Sequence, residues 1–266
     1  MDLSIVIPVY NSEKLIDELV KKINATISDI KLSNSYEIIL INDCSTDGSW
    51  EKIKFLAKQF NFIKGINLAS NYGQHNAIMA GLNESQGEII VTMDDDLQHH
   101  PSSIKNLLNE INNGFDVCYT RYLNRQHAAW KKFVSWLNNL ISSYLLNKPY
   151  NIYMSSYRAF RKKIAKEIIT FKGANVYIDG LILKSTKNIT IIPVEHYKRP
   201  QGTSNYNFRK LITLWADMAI NFPIRPIRIA TFFGIIILFM IFVLRKSKLF
   251  LKKDYKEQYI ILEKTY

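Results

Sequence analysis

Apolar and polar positions follow two different periods along the first 120 residues. Short apolar runs, Leu3 to Pro8, Tyr36 to Asn42, Ile63 to Asn67, Glu88 to Met93 and Asp116 to Thr120, have the length and β-branched content of buried strands. Between them lie Glu13 to Ile30, Ser49 to Gln59, His75 to Asn83 and Ser102 to Asn112, where apolar residues recur at helical spacing. Buried strands separated by amphipathic helices predict an α/β fold with a mostly parallel sheet flanked by helices. Ligands of such sheets bind beyond the carboxyl ends of the strands. Three polar motifs fall at such ends: Pro8-Val9-Tyr10-Asn11, Asn42-Asp43 and Asp94-Asp95-Asp96.

The acid triplet is the sharpest of these. Carboxylates at the end of a buried strand repel one another and lose hydration, so they need a cation or strong hydrogen bonds. Asp94 and Asp96, two apart on an extended chain, point to one side and can hold one hard divalent ion. A solvated acidic turn ahead of the helix near Pro101 is the simpler alternative for an isolated triplet.

The pattern changes past Gln126. Ala128 to Leu146 sets Trp130, Phe133, Val134, Trp136, Leu137, Leu140, Ile141, Tyr144 and Leu145 at helical spacing, which suits a core-packed helix or one lying in a membrane interface. Phe208 to Phe222 is a second such candidate. It leads into Ile227 to Leu244, 18 positions apolar on every face apart from Arg228. As a helix that run is about 27 Å long, close to the hydrocarbon thickness of a bilayer. The expected division is therefore a domain over 1–207, a juxtamembrane amphipathic segment over 208–226, a transmembrane helix over 227–244 and a basic C-terminal tail over 245–266. Arg225 and Arg228 precede the span and Arg245, Lys246, Lys248, Lys252 and Lys253 follow it, so flanking charge gives no orientation.

Composition narrows the classes. The 266 residues are 47% hydrophobic and 12% aromatic, which fits a folded core and excludes general disorder. A formal charge of +12 points to an anionic partner: nucleic acid, a membrane surface or a phosphorylated substrate. Cys44 and Cys118 form neither a CxxC pair nor a zinc-type cluster, so a reduced, cytoplasmic setting is expected. Neither a basic n-region nor a long apolar h-region precedes the first strand. No GxGxxG follows that strand and no GxxxxGK[ST] occurs, which argues against a dinucleotide-binding Rossmann domain and a P-loop.

Taken together, Val6-Ile7-Pro8-Val9-Tyr10-Asn11, Ile41-Asn42-Asp43-Cys44-Ser45-Thr46-Asp47-Gly48-Ser49, Asn71-Tyr72-Gly73-Gln74 and Met93-Asp94-Asp95-Asp96-Leu97-Gln98-His99 occur in the order and spacing of family 2 glycosyltransferases. The chain resembles the branch that includes dolichyl-phosphate mannose synthase and the bacterial polyprenyl-phosphate glycosyltransferases, over roughly residues 3 to 244. The resemblance implies a GT-A fold, a nucleotide-diphosphate sugar donor, a polyprenyl phosphate acceptor, and Mg2+ or Mn2+ as cofactor. It also implies the inner (cytoplasmic) membrane as location, with the catalytic domain in the cytoplasm. Membrane lipid is then a partner, nucleic acid is not, and a homo-oligomer is compatible.

By position, the resemblance gives Asp94, Asp96 and Gln98 to the metal, with Asp96 also catalytic. Pro8, Tyr10, Asn11, Asp43, Asp94 and Asp95 fall to the nucleotide sugar, Asp43 bonding base or ribose. Arg121, Arg125 and Gln98 serve the acceptor phosphate, and Arg121 and Arg158 the catalytic centre. Tyr197-Lys198-Arg199-Pro200-Gln201-Gly202-Thr203-Ser204-Asn205-Tyr206 resembles a loop that closes over the donor diphosphate, giving Arg199 and Ser204 to the nucleotide sugar. His99 and His100 are expected to be structural. Ser70, Asn42 and Cys44 depart from residues common in relatives, which bears on donor preference. Relatives often carry two or more transmembrane helices, so one span followed by a charged, aromatic tail suggests a chain naturally short, truncated or altered at its end.

The expected reaction is an inverting transfer to a polyprenyl phosphate. Two alternatives stay open. In one the acceptor is a sugar hydroxyl of a growing glycan and Asp179 is the candidate base, although it reads equally well as a plain loop residue ahead of a helix Leu181 to Lys184. In the other the protein is a non-catalytic, basic, membrane-anchored binder of nucleic acid or anionic lipid.

Overall fold

The computed structural model describes residues 2–30, 35–122, 143, 148–149, 152–173, 176–195 and 261–265. In chain order these form β1 (Leu3–Val9), α1 (Glu13–Ile30), β2 (Tyr36–Asn42), α2 (Ser49–Gln59), β3 (Ile63–Leu68), α3 (Gln74–Glu84), β4 (Ile89–Thr92), α4 (Ser103–Asn112) and β5 (Val117–Tyr122). There follow β6 (Arg158–Arg161), α5 (Lys162–Ile168), α6 (Ile178–Ser185), β7 (Ile189–Val194) and β8 (Ile261–Thr265). The eight strands make one sheet in the order β7-β5-β6-β4-β1-β2-β3-β8. β4, β1, β2 and β3 run parallel, as do β5 and β7, while β6 and β8 are antiparallel to their neighbours.

Alternate strand residues feed two cores. Val6, Ile39, Ile41, Ile66, Ile90 and Val117 face the layer of α3, α5 and α6. Ile5, Ile7, Ile38, Leu40, Ile63 and Val91 face α1, α2 and α4. Helix α1 meets the sheet through Leu15, Ile16, Leu19, Val20, Ile23 and Ile27, a three-and-four spacing that makes one continuous stripe. Each such side chain contributes roughly 1.5–3 kcal/mol by leaving water. Both faces are covered, which is why the central strands read as unbroken apolar runs.

Pro8 sits inside central strand β1, where a missing N–H would normally break the ladder. Successive residues of a strand bond opposite neighbours, and the β1–β4 register ends at Val6↔Thr92. Pro8 therefore falls where β4 has already turned away, and no ladder bond is lost. The same divergence opens the carboxyl edge between β1 and β4.

Three strands escaped the sequence pattern: β6, with arginine at both ends, β7, and β8, which lies in the stretch expected to be tail. Asp179 belongs to the first turn of α6 rather than to a loop before it. Among the described residues no helix is long and apolar enough to cross a membrane. The expected span 227–244 and the amphipathic candidates 208–222 and most of 128–146 lie outside the described residues.

Candidate active site

The loops after β1, β2 and β4 meet at one edge, and hydrogen bonds lock them together. The Asn11 N–H donates to Ser45 Oγ (3.0 Å), and the Thr46 N–H donates to Asn11 Oδ1 (2.8 Å). The Ser12 N–H reaches Ser49 Oγ at 3.0 Å, the Glu13 N–H reaches Asp47 Oδ2 at 3.1 Å, and the Gly48 N–H returns to Glu13 Oε2 at 3.1 Å. Burial pushes the Asp47 carboxyl up, but bonds from Ser49 and the Glu13 amide outweigh it and hold the group below its ordinary value. The non-glycine residues with left-handed backbone among the described residues are Asn11 (φ 53°), Cys44 (φ 56°) and Leu97 (φ 58°). One falls in each loop. Such conformations persist only where surrounding contacts over-determine them, and they gather at sites of function.

The acid triplet lies just beyond β4, on a bend rather than on extended chain. Each acid goes a different way. Asp94 accepts from Gln74 Nε2 at 2.5 Å and from Ser156 Oγ at 2.6 Å. Asp95, nearly buried, accepts the Tyr10 N–H at 3.0 Å and is bonded by the Ser12 side chain. Asp96 accepts the Gln98 N–H at 3.0 Å, which closes a tight turn through Leu97. Burial pushes the Asp95 carboxyl up to about 6, against the pull of its two hydrogen bonds and with Asp94 and Asp96 adding to the rise. Asp95 thus fastens the β1 loop to the β4 loop and leaves the Tyr10 ring exposed above the edge.

Asp43 does a similar job one strand over. Its two oxygens accept the backbone N–H groups of Tyr72 (2.8 Å) and Gly73 (2.9 Å). Gly73 has φ +85°, so a side chain there would strain the turn that aims its amide. Burial raises the Asp43 carboxyl above the ordinary aspartate value, and the two amides only partly offset this. A carboxylate has about four lone-pair sites, so capacity for a ligand remains beside these bonds.

Arg121, at the carboxyl end of β5, is exposed and has no ionic partner among the described residues. Its strand is two spacings from β4, about 10 Å along the edge. Arg158 is placed differently from expectation. It is 1% exposed, lies over the Tyr119 ring at 5.7 Å, and gives its guanidinium to Asp179, whose Oδ1 also accepts the Tyr119 hydroxyl at 2.9 Å. Burial alone would lower the guanidinium pKa, but Asp179 and Tyr119 outweigh it and raise it. Arg158 and Asp179 are thus committed to each other inside the protein rather than presented to the crevice. Arg125, Arg199 and Ser204 lie outside the described residues.

His99 is buried between the Tyr122 and Tyr157 rings and bonded to the Tyr122 hydroxyl, with Nδ1 3.9 Å from Asp94. Gln74 and Ser156 had no role from sequence, yet they hold Asp94 from two sides. Gln74 stood within the Asn71-Tyr72-Gly73-Gln74 motif, and Ser156 lies two residues before Arg158, so the signal was nearness to residues already singled out with no carboxylate partner yet in view.

The donor set suits a hard divalent ion. Asp94 and Asp95 are held by neutral groups, and Asp94, Asp96 and the Gln98 amide offer only oxygens at one turn. Among the described residues no three His, Cys, Asp or Glu side chains gather into a cage.

A parallel sheet whose carboxyl edge carries a held acid group in place of a glycine-rich phosphate loop is a GT-A-like enzyme scaffold. Residues 4–169 match the glycosyl transferase family 2 model. The chain belongs to that family and is a glycosyltransferase. It is 35% identical over 235 residues to the undecaprenyl-phosphate 4-deoxy-4-formamido-L-arabinose transferase of Salmonella choleraesuis, covering 88% of this chain and 71% of that protein. Two solved structures share the fold at low identity. Glucosyl-3-phosphoglycerate synthase from Mycobacterium tuberculosis, in complex with Mn2+, uridine diphosphate and phosphoglyceric acid, has a TM-score of 0.60 at 15% identity over 85% of this chain and 80% of its own. S. aureus TarS in complex with UDP has a TM-score of 0.53 at 20% identity, over 85% and 67%.

Proposed function

We propose that this glycosyltransferase moves a sugar, with inversion, from a nucleotide-diphosphate sugar to a polyprenyl phosphate at the cytoplasmic face of the inner membrane. The observation that carries this is the 35% identity, over 88% of the chain, to a transferase named for undecaprenyl phosphate. Tyr10, Asp43, Pro8 and Asn11 line the donor side, and Arg199 and Ser204 meet its diphosphate. Asp94, Asp96 and Gln98 would hold Mg2+ or Mn2+, which when bound supplies positive charge against the departing diphosphate. Asp95 keeps the Tyr10 loop in register with these acids. Arg121 and Arg125 take the acceptor phosphate through their guanidinium forks.

In the reaction the acceptor phosphate oxygen bonds to the anomeric carbon as the bond from that carbon to the diphosphate breaks. A phosphate monoester has a second pKa near 6, so its oxygen is already anionic at neutral pH and needs no strong base. Catalysis then rests on positioning and charge. The version with a sugar hydroxyl as acceptor needs a free carboxylate base, and Asp179 is engaged by Arg158 and Tyr119.

The test is incubation of the purified protein with a panel of nucleotide sugars, Mn2+ and undecaprenyl phosphate. Labelled sugar passing into the organic phase, and lost on chelation, is the expected result. Label found only on an added glycan would favour the hydroxyl acceptor and defeat the proposal.

A further inference from the structure

One buried ring nitrogen at the acid edge has no partner. The turn through Asp96 and Leu97 carries the chain inward, so that His99 is 3% exposed. Its ring stacks on Tyr157 at 5.1 Å and on Tyr122 at 5.7 Å, and its Nε2 is bonded to the Tyr122 hydroxyl. Its Nδ1 is buried, makes no hydrogen bond among the described residues and stands 3.9 Å from Asp94 Oδ2. That separation is too long for a hydrogen bond, and buried polar groups are almost always paired, so the unmet nitrogen needs a reason.

The neighbours decide which nitrogen carries the hydrogen. A bare Nδ1 would set its lone pair against a carboxylate oxygen, which is repulsive. With the Tyr122 hydroxyl donating to Nε2, the neutral ring instead carries its hydrogen on Nδ1, on the side of Asp94. Asp94 has room to accept it. Oδ1 takes the Gln74 amide, and Oδ2 takes one bond from Ser156 Oγ at 2.6 Å, which leaves Oδ2 a second lone pair. The torsion that turns a carboxylate is soft, so closing the gap costs Asp94 little.

The two ends of this line belong to different sides of the site. Asp94 follows β4, whereas Tyr122 ends β5 next to Arg121. We infer that His99 is a positioning residue for Asp94: it carries a line of hydrogen bonds from the Tyr122 hydroxyl to the carboxylate and so raises the affinity of the acid group for a divalent cation. The inference rests on the reading of Asp94 as a holder of that cation, given under Proposed function. Tyr122 then acts on the cation only through His99.

The test is Mn2+ binding by the purified full-length protein with UDP present, read from the free-ion signal in electron paramagnetic resonance beside a melting curve. His99→Leu fills the space without a donor and should weaken Mn2+ binding about 10–100-fold. His99→Asn puts a side-chain N–H where Nδ1 stands and should stay within about threefold of the unmodified protein. Tyr122→Phe keeps the ring and should cost about tenfold by itself, yet add nothing to His99→Asn, which no longer reaches the hydroxyl. Equal losses in His99→Leu and His99→Asn, or lower melting temperatures with Mn2+ affinity unchanged, would overturn the inference. Should His99→Leu not fold, Tyr122→Phe alone and combined with His99→Asn decides. Asp94→Asn separates this inference from the reading beneath it, and should abolish binding. If Asp94→Asn binds Mn2+ as the unmodified protein does, or neither binds, the metal reading falls and takes the inference with it. If Asp94→Asn fails to bind while His99→Leu and Tyr122→Phe bind fully, only the inference falls.

Discussion

Two carboxylate centres in this protein are built in opposite ways. Asp94 stands at the open carboxyl edge, held by a glutamine amide and a serine hydroxyl. Asp179, in the first turn of α6, is held by a buried arginine and a tyrosine hydroxyl of the sheet. Neutral donors orient a carboxylate without cancelling its charge, and so leave it available to a cation from outside. A guanidinium cancels the charge on the spot, and the pair becomes part of the framework. The protein spends its internal cation where no ligand comes and withholds one where a metal and diphosphate are expected. The two centres are also linked in sequence: Ser156, which holds Asp94, is two residues from Arg158, and Gln74 is next to His75 on α3.

The largest effect that would break this comparison is expected at the open centre. Asp96→Ala should lower kcat/KM for sugar transfer by about 10³-fold or more, far beyond what losing its bond from the Gln98 N–H costs the turn in melting temperature. Steady-state kinetics beside a melting curve would check this, and a variant with full metal-dependent activity would refute the site.

The closed centre should answer in stability instead. Arg158→Ala leaves a buried carboxylate without its cation and should cost about 3–5 kcal/mol in denaturant unfolding. Replacing both partners, Arg158→Met with Asp179→Leu, should recover most of that loss, since apolar groups of similar volume need no partner. No such neutral pair can rescue Asp96.

Smaller effects should come from the groups that orient Asp94. Ser156→Ala and Gln74→Ala should each weaken Mn2+ dependence of activity by about 10–100-fold, seen as a shift in the metal concentration for half-maximal rate. If only stability moved, these two would belong to the framework as Arg158 does.

The smallest is a pH effect at His75, between the two centres. Burial, with Arg158 adding to it, depresses this imidazole to about 4 against Asp179 and Asp94, below the ordinary value near 6.5. The unfolded chain therefore binds a proton that the folded chain does not, and its stability is complete above pH 6.5 and declines as pH falls towards 4. His75→Gln should flatten that decline by on the order of 1–3 kcal/mol, measured as unfolding free energy at pH 7 and pH 5.

Much of the fold was legible because local pattern and tertiary environment agreed. The residues of α1, β2 and α2 fall where apolar spacing put them, since each is long and packs a full stripe or run against the sheet. β6 and β7 were not legible, because a four-residue strand with arginine at both ends and a strand containing Pro193 exist only through their neighbours. Pro193 is tolerated because β7 is an edge. β8 lay hidden in a charged context, although Gln258 to Leu262 carries an apolar run of strand type.

At the site, sequence alone brought Pro8, Tyr10, Asn11, Asp43 and the triplet to one edge, because strand ends of a parallel sheet must share it. Only tertiary structure could divide the three acids, with Asp95 clamping Tyr10, Asp94 held by Gln74 and Ser156 and Asp96 closing the turn to Gln98, or turn Arg158 inward to Asp179. The physical reason is that charge type is written in the residue, whereas the partner that cancels it comes from strands far apart in the chain. The sequence determined which groups carry charge and at which ends they stand; the fold decided which charges are already spoken for.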